Sequence, residues 1–369
     1  MANAASLINF GGSGAVVGDV VYSAYALSAP SYLPLANPSA SYLASSYPVL
    51  AALVTTPVTA YAATARTLPL SRTWTSVAYG NGVFVAVAST GSYGTAAIST
   101  DGISWTATVL PIVAVWAGVA FGNGVFVAIS TGGSTFATSV DGISWAPRTV
   151  GPENYTSITF GNGYFVAVAQ TSNTTLRSPD GITWTNGTNA NTTAWKSVAY
   201  GNNTYVAVSA TSGTNASYSN DAITWTLAAL PTTALWQSVA FGNGVFVAIA
   251  GTPSTAAATS SDGISWTART LPASANWTSV TFGNGIFLAV AQGTVAATSP
   301  DGITWTSRVL PSSANWSSVV CGGPPGARIF VAVANTTVAA TVALSVAQTT
   351  FTLPAVTPLI GTTPYIKAT

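Results

Sequence analysis

One run of apolar and polar positions recurs about every 40 residues and organises most of the chain. Its first copy reads Trp74-Thr-Ser-Val-Ala-Tyr-Gly-Asn-Gly-Val-Phe-Val-Ala-Val87, and equivalents begin at Trp116, Tyr155, Trp195, Trp236, Trp277 and Trp316. An apolar stretch on each side of Asn-Gly is a strong hairpin signal, because both residues accept positive φ in a type I′ turn. The pair occurs at Asn81-Gly82, Asn123-Gly124, Asn162-Gly163, Asn243-Gly244 and Asn284-Gly285, with Asn202-Asn203 as a tolerable substitute. The second strand, as in Phe84-Val85-Ala86-Val87, is apolar on both faces. That pattern suits a sheet packed on both sides.

A third strand then leads into Ser-x-Asp-Gly-Ile-Ser/Thr-Trp, centred on Asp101, Asp141, Asp180, Asp221, Asp262 and Asp301. These are predicted as structural turns, the Asp bonding to backbone N–H groups ahead of it and Gly taking the left-handed position. At Asp221 the Gly is replaced by Ala222, which predicts a strained or differently shaped turn. A fourth strand follows, as in Thr267-Ala-Arg-Thr-Leu-Pro272. Four short strands in each of seven copies predict an all-β chain folded as a seven-bladed β-propeller. The seventh copy has no Asp motif and no fourth strand, whereas Ala65-Arg-Thr-Leu-Pro69 repeats Ala268-Arg-Thr-Leu-Pro272. The N-terminal strand is therefore expected to complete the last blade and close the ring, removing open edges.

Composition changes the picture mainly by exclusion. Apolar residues make up 49% of the 369, charged residues only 5%, and the net charge is +1. No basic footprint points to nucleic acid or an anionic membrane. Polar and turn residues interrupt every apolar stretch, so no membrane insertion is expected. The start, Met1-Ala-Asn-Ala-Ala-Ser, lacks the basic and apolar segments of a secretory signal. A surface this poor in charge is prone to association, which suits a subunit of a larger assembly.

The repeat also consumes most candidate chemistry. Six of the eight acidic residues are the turn aspartates, leaving Asp19 and Glu153. A glycosidase needs paired carboxylates flanking the scissile bond. With no His in the chain, Ser–His and Cys–His pairs and imidazole metal sites are excluded. Arg66, Arg148, Arg269 and Arg308 occupy one equivalent fourth-strand position rather than a cluster. Every one of the 12 Trp is a repeat position, read as packing between blades; the first-strand set would instead ring a channel mouth if that strand is innermost. Cys321, beside Gly322-Gly323, reads as a buried small residue. The chain is thus expected to be no enzyme, with no catalytic residue, cofactor or metal. Departures from the repeat are better binding candidates: Glu153, Asn154, Tyr155, Arg177, Asn186, Asn189 and Lys196, which include much of the scarce charge and the polar insert 186–193.

The Asp motif resembles the Asp-box of sialidase-like propellers and the repeat of photosystem-assembly-factor-like propellers, with one residue fewer between Asp and Gly. The resemblance concerns the turn and implies fold rather than activity. The chain ends lie outside the repeat and carry Gly18-Asp19, Tyr32-Leu33, Tyr47-Pro48-Val49-Leu50, Phe351-Thr-Leu-Pro354 and Tyr365-Ile-Lys-Ala368. In this order they resemble the tail-collar module of bacteriophage fibre proteins, while the family's Trp and Cys-Asp-Gly are replaced around Pro34-Leu-Ala-Asn37. The expected domains are residues 1–55 and 348–369 as two halves of a collar-like mount, with the propeller, 56–347, inserted between them; a ring closed by its own N-terminal strand brings those ends together.

The resemblance implies a structural virion protein of a tailed phage, a tail-fibre or baseplate-type component presenting the propeller for adhesion to the host surface. Its expected partners are other virion proteins of tail, baseplate or capsid, a host-surface glycan or protein, and further copies of itself, the collar family implying a trimer. Alternatives are a capsid decoration or cement protein, a surface-polysaccharide hydrolase disfavoured by the carboxylate census, and a cellular assembly factor disfavoured by the collar-like ends.

Overall fold

The computed structural model describes residues 20–23, 32–34, 41–43, 58–89, 94–170, 172–346, 350–352 and 363–367. Among them every regular element is a strand and none is a helix. The chain divides into two compact units, one running from Tyr61 to Leu344, the other combining described strands from before and after it.

In the first unit the repeat folds as a meander. Trp74–Gly80 pairs antiparallel with Val83–Ala88, which pairs with Gly94–Ser99, which pairs with Thr106–Leu110. Asn81 and Gly82 at the first hairpin have φ of 47° and 80°, as a type I′ turn requires. The substitute Asn202-Asn203 does the same with two asparagines, at 45° and 58°. Some meanders are joined by an unbroken strand: within Ala146–Gly161, Ala146–Glu153 pairs backward with Gly133–Thr138 and Asn154–Gly161 pairs forward with Tyr164–Gln170.

The core lies between successive meanders, as the period-two pattern demands. Phe84 and Ala86 face Val331, Val333 and Ala339 of the last meander. Val85 and Val87 face Trp116, Val119 and Phe126 of the next. The fourth-strand leucines Leu110, Leu230, Leu271 and Leu310 are each 1–2% exposed, and so is Leu68, at 1%.

Leu68 belongs to the closing strand. Val58–Gly80 lies beside Ile329–Val346, which lies beside Trp316–Gly322. Arg66 Nε donates to Thr341 Oγ1 at 3.0 Å, as Arg269 does to Thr259 and Arg308 to Thr298 at 2.9 and 3.0 Å. Thus the N-terminal segment makes, across 275 residues of sequence, the contact a fourth strand makes elsewhere.

Two further ladders link each first strand to the next. The glycine ending one strand lies under the aromatic ring of the following copy: Gly80 under Phe121, Gly161 under Tyr200, Gly201 under Phe241, and Gly322 under Tyr79. Cys321 takes the ring's place over Gly283. Beside them, Ser76 Oγ accepts from Val119 N, Ser157 from Val198, Ser197 from Val239, Ser238 from Val280, Ser279 from Val319, and Ser318 from Val77, all at 3.1–3.2 Å. Both ladders return from the last copy to the first. Gly118, in the serine position, has no side chain and leaves one rung out.

In the second unit, Thr363–Lys367 lies between Val20–Ser23 and Tyr32–Pro34, antiparallel to both, with Val20 opposite Ile366 and Tyr32 opposite Lys367. Thr350–Thr352 pairs with Ser41–Leu43, placing Phe351 opposite Tyr42. Gly18-Asp19, Tyr47-Pro48-Val49-Leu50, Leu353-Pro354 and Ala368 lie outside the described residues.

Candidate functional site

The residue after the first-strand aromatic is the one the repeat leaves variable: Thr75, Ala117, Thr156, Lys196, Gln237, Thr278 and Ser317. Each falls where the ladder slips by one residue, between Trp74 and Ser76, Trp195 and Ser197, and so on around the ring. A bulge of this kind re-aims one side chain. Here all of these residues line one central cavity of about 570 Å³. Their strands are therefore innermost, and sequence periodicity alone did not single the bulge out.

Several lining hydroxyls also serve the scaffold. Thr75, Thr156 and Ser317 donate to the main-chain oxygens of Trp116, Trp195 and Trp74, at 2.8, 2.7 and 2.6 Å, joining each copy to the next. Their lone pairs remain as acceptors. Lys196 breaks the pattern. Among the described residues lining the cavity it is the only charged side chain. It is exposed to the cavity but walled by protein, and this desolvation pulls its ammonium below the usual lysine range.

The other sequence candidates do not gather around Lys196. Tyr155 is fully buried in the place of a Trp, packed edge-on against Phe136 at 5.0 Å, and burial with the nearby Glu153 charge raises its phenol's pKa. Asn154 is exposed, but its Oδ1 accepts from Gly132 N at 2.8 Å, the role Asn276 plays for Thr252. Glu153, half-buried, accepts from Thr174 Oγ1 at 3.3 Å. Asn189 is buried, its Oδ1 taking the Ala190 N–H at 2.8 Å. Arg177 lies over the Tyr164 ring at 4.5 Å and donates to the Asp221 main-chain oxygen at 2.8 Å. Asn186 is exposed on Thr185–Thr188, paired with Leu176. The polar departures from the repeat thus serve mostly local scaffolding.

The Asp turns are built alike. Asp101 Oδ1 accepts from Ser104 N, Ile103 N and Ser99 Oγ at 2.8–2.9 Å, and Gly102 N donates to Ser99 Oγ at 2.8 Å. The Ser104 and Ile103 N–H groups hold the carboxyl below its ordinary pKa. At Asp221 the carboxylate's hydrogen bonds are kept but one other is lost: Trp225 Nε1 finds no partner among the described residues, where the other five turn tryptophans donate to the glycine oxygen at 2.9–3.2 Å. Ala222 takes the left-handed conformation at φ 58°, and Ile223, Thr224 and Ser219 supply the same donors at 2.8–3.0 Å. Those hydrogen bonds hold the turn, so the alanine absorbs the strain. Asn81 Nδ2 ties its hairpin to Val140 O, just before Asp141, at 3.0 Å. The Asp turns therefore cluster at the hairpin end, opposite the bulges.

The first-strand Trp side chains do not ring the channel mouth: Trp74, Trp116, Trp195, Trp236, Trp277 and Trp316 are 0–1% exposed. Trp74 Nε1 instead reaches Leu70 O and Thr336 O at 3.2 and 3.0 Å. Burial pushes the Cys321 thiol up to about 11, against a smaller opposing effect of Arg328, leaving little thiolate at neutral pH.

Residues 228–354 match the model of the DUF6242 beta propeller domain. The Tyr61–Leu344 unit is a β-propeller. Virginiamycin B lyase from Staphylococcus aureus is similar at a TM-score of 0.68 and 10% identity, covering 77% of this chain and 100% of that one. YCF48 from Cyanidioschyzon merolae is similar at 0.60 and 15%, covering 76% and 98%. The WD40 beta propeller domain of Doa1 is similar at 0.59 and 13%, covering 77% and 97%. At these identities the likeness concerns the propeller fold alone. A comparison with curated proteins finds no match.

Proposed function

We propose that this chain is a structural virion protein of a tailed bacteriophage, a tail-fibre or baseplate-type component that presents a seven-bladed propeller on a collar-like mount for adhesion to the host surface. One observation carries the reading. The chain ends that resemble the two halves of a tail-collar module pair with each other, Tyr32-Leu33 lying opposite Ile366-Lys367 and Phe351 opposite Tyr42. Seven bulged first strands and the Arg66–Thr341 contact support a seven-bladed ring completed by the N-terminal strand. A head tied by a ladder of glycine–side-chain contacts that returns from the last copy to the first suits a rigid presenting platform, and a surface poor in charge suits assembly with other virion proteins.

A binding role fits the chemistry better than a hydrolytic one. The turn carboxylates are already engaged by backbone and serine donors, and Glu153, the remaining described acid, accepts from the Thr174 hydroxyl. In this reading the protein works as a homo-oligomer, a trimer by the collar resemblance. The test is adsorption. Purified full-length protein should bind host cells and block infection. Binding only to capsids would replace adhesion by the decoration reading. Release of reducing sugar from host polysaccharide, abolished in Glu153→Gln, would make the chain a hydrolase.

A further inference from the structure

We propose that the central cavity of the propeller is a binding site for a sugar acid, whose carboxylate pairs with Lys196 and whose hydroxyls bond to the polar wall. This goes beyond the virion reading, since it is argued from the cavity alone. At about 570 Å³ the space falls in the ~300–1,000 Å³ range of small-ligand sites.

The ring does not need a charged group at the bulge. At three of the equivalent bulge positions a hydroxyl closes a contact to the next copy's main-chain oxygen. Ala117 shows that the position tolerates having no polar group at all. A lysine is therefore no requirement of the scaffold. It stands in a walled space with no carboxylate among the described residues that line it. An ammonium on this wall has no counter-charge beside it, and an anion entering the cavity supplies one. The acidic turns cannot supply it, because they lie at the opposite end of the sheets.

The wall favours a polyhydroxyl frame around that anion. The Thr75 and Thr156 hydroxyl hydrogens are committed to main-chain oxygens, so toward a ligand these groups can act only as acceptors. Side-chain amides at Gln237, Gln292 and Asn315 add donors and acceptors around the same space. A sugar acid offers one charge and several hydroxyls, which matches one ammonium among neutral polar groups. A bare anion uses only the first.

The experiment is titration calorimetry on the full chain with glucuronate, glucose, acetate and inorganic phosphate. Glucuronate is expected to bind, glucose and acetate each at least tenfold more weakly. Lys196→Gln should weaken glucuronate at least tenfold with unchanged thermal unfolding, and Lys196→Arg should recover most of the loss. Equal glucuronate affinity in wild type and Lys196→Gln overturns the site, as does no heat of binding at millimolar glucuronate. Acetate or phosphate binding as tightly as glucuronate overturns the sugar assignment. None of these outcomes bears on cell adsorption or virion placement.

Discussion

Gly201 sits at the end of a first strand, directly under the Phe241 ring of the next copy. A Cβ built on it would lie 2.0 Å from Phe241 Cγ and 2.3 Å from both Cδ atoms. Van der Waals contact needs about 3.5 Å, so the ring must retreat by roughly 1.5 Å. Phe246 packs against that ring: the two centroids are 4.8 Å apart, and Phe246 is 0% exposed. Overpacking costs about 1–3 kcal/mol, and a backbone-to-ring clash this close belongs in the upper part of that range. The lower unfolded-state entropy of alanine returns about 0.4–1 kcal/mol. Gly201→Ala should therefore destabilise the propeller by about 2 kcal/mol, read as a fall in the urea midpoint by tryptophan fluorescence at unchanged m. Phe241→Ala removes the ring, so the double variant should be more stable than the sum of the singles predicts, by at least about 1 kcal/mol. A Gly201→Ala midpoint equal to wild type, or strict additivity, would refute the reasoning.

Three further outcomes follow from the same packing. Gly322→Ala, under Tyr79, should lose as much as Gly201→Ala, because it strikes the contact between last and first copies; a much smaller loss would mean that the ring does not close there. Trp195→Ala should cost about 3–5 kcal/mol, since the side chain is 0% exposed, and a thermal shift assay reads this directly. The folded pKa of Asp101 and Asp141 is lowered, first by the backbone N–H of Ser104 and Ser144 respectively, so their stabilisation is complete above the unfolded value near pH 4 and is lost as pH falls through the folded value. Thermal midpoints should thus be level from about pH 7 to 5 and fall below about pH 4. Asp141→Asn should make that fall shallower.

Local chemistry made much of this fold legible in the chain. Asn-Gly can do little else between apolar runs, and the match of Ala65–Pro69 to Ala268–Pro272 marks the strand that the Arg66–Thr341 contact places beside the last copy. What periodicity could not register was the bulge. Thr75, Lys196 and their equivalents look like one more alternating position, yet the ladder slips there and turns them into the channel. For the same reason the candidate cluster from Glu153 to Lys196 came apart: Asn154, Arg177 and Asn189 bond to backbone nearby, and only the three-dimensional register separates them from Lys196. Asn81 was legible as a turn former but not as the tie to Val140, since nothing local encodes a partner 59 residues away.

Immunogold labelling of intact virions with antibody to the full chain tests the proposed role most directly. Gold is expected at the tail tip or fibres, where an adhesive head meets the host. Gold confined to the capsid, or none on virions, would contradict it.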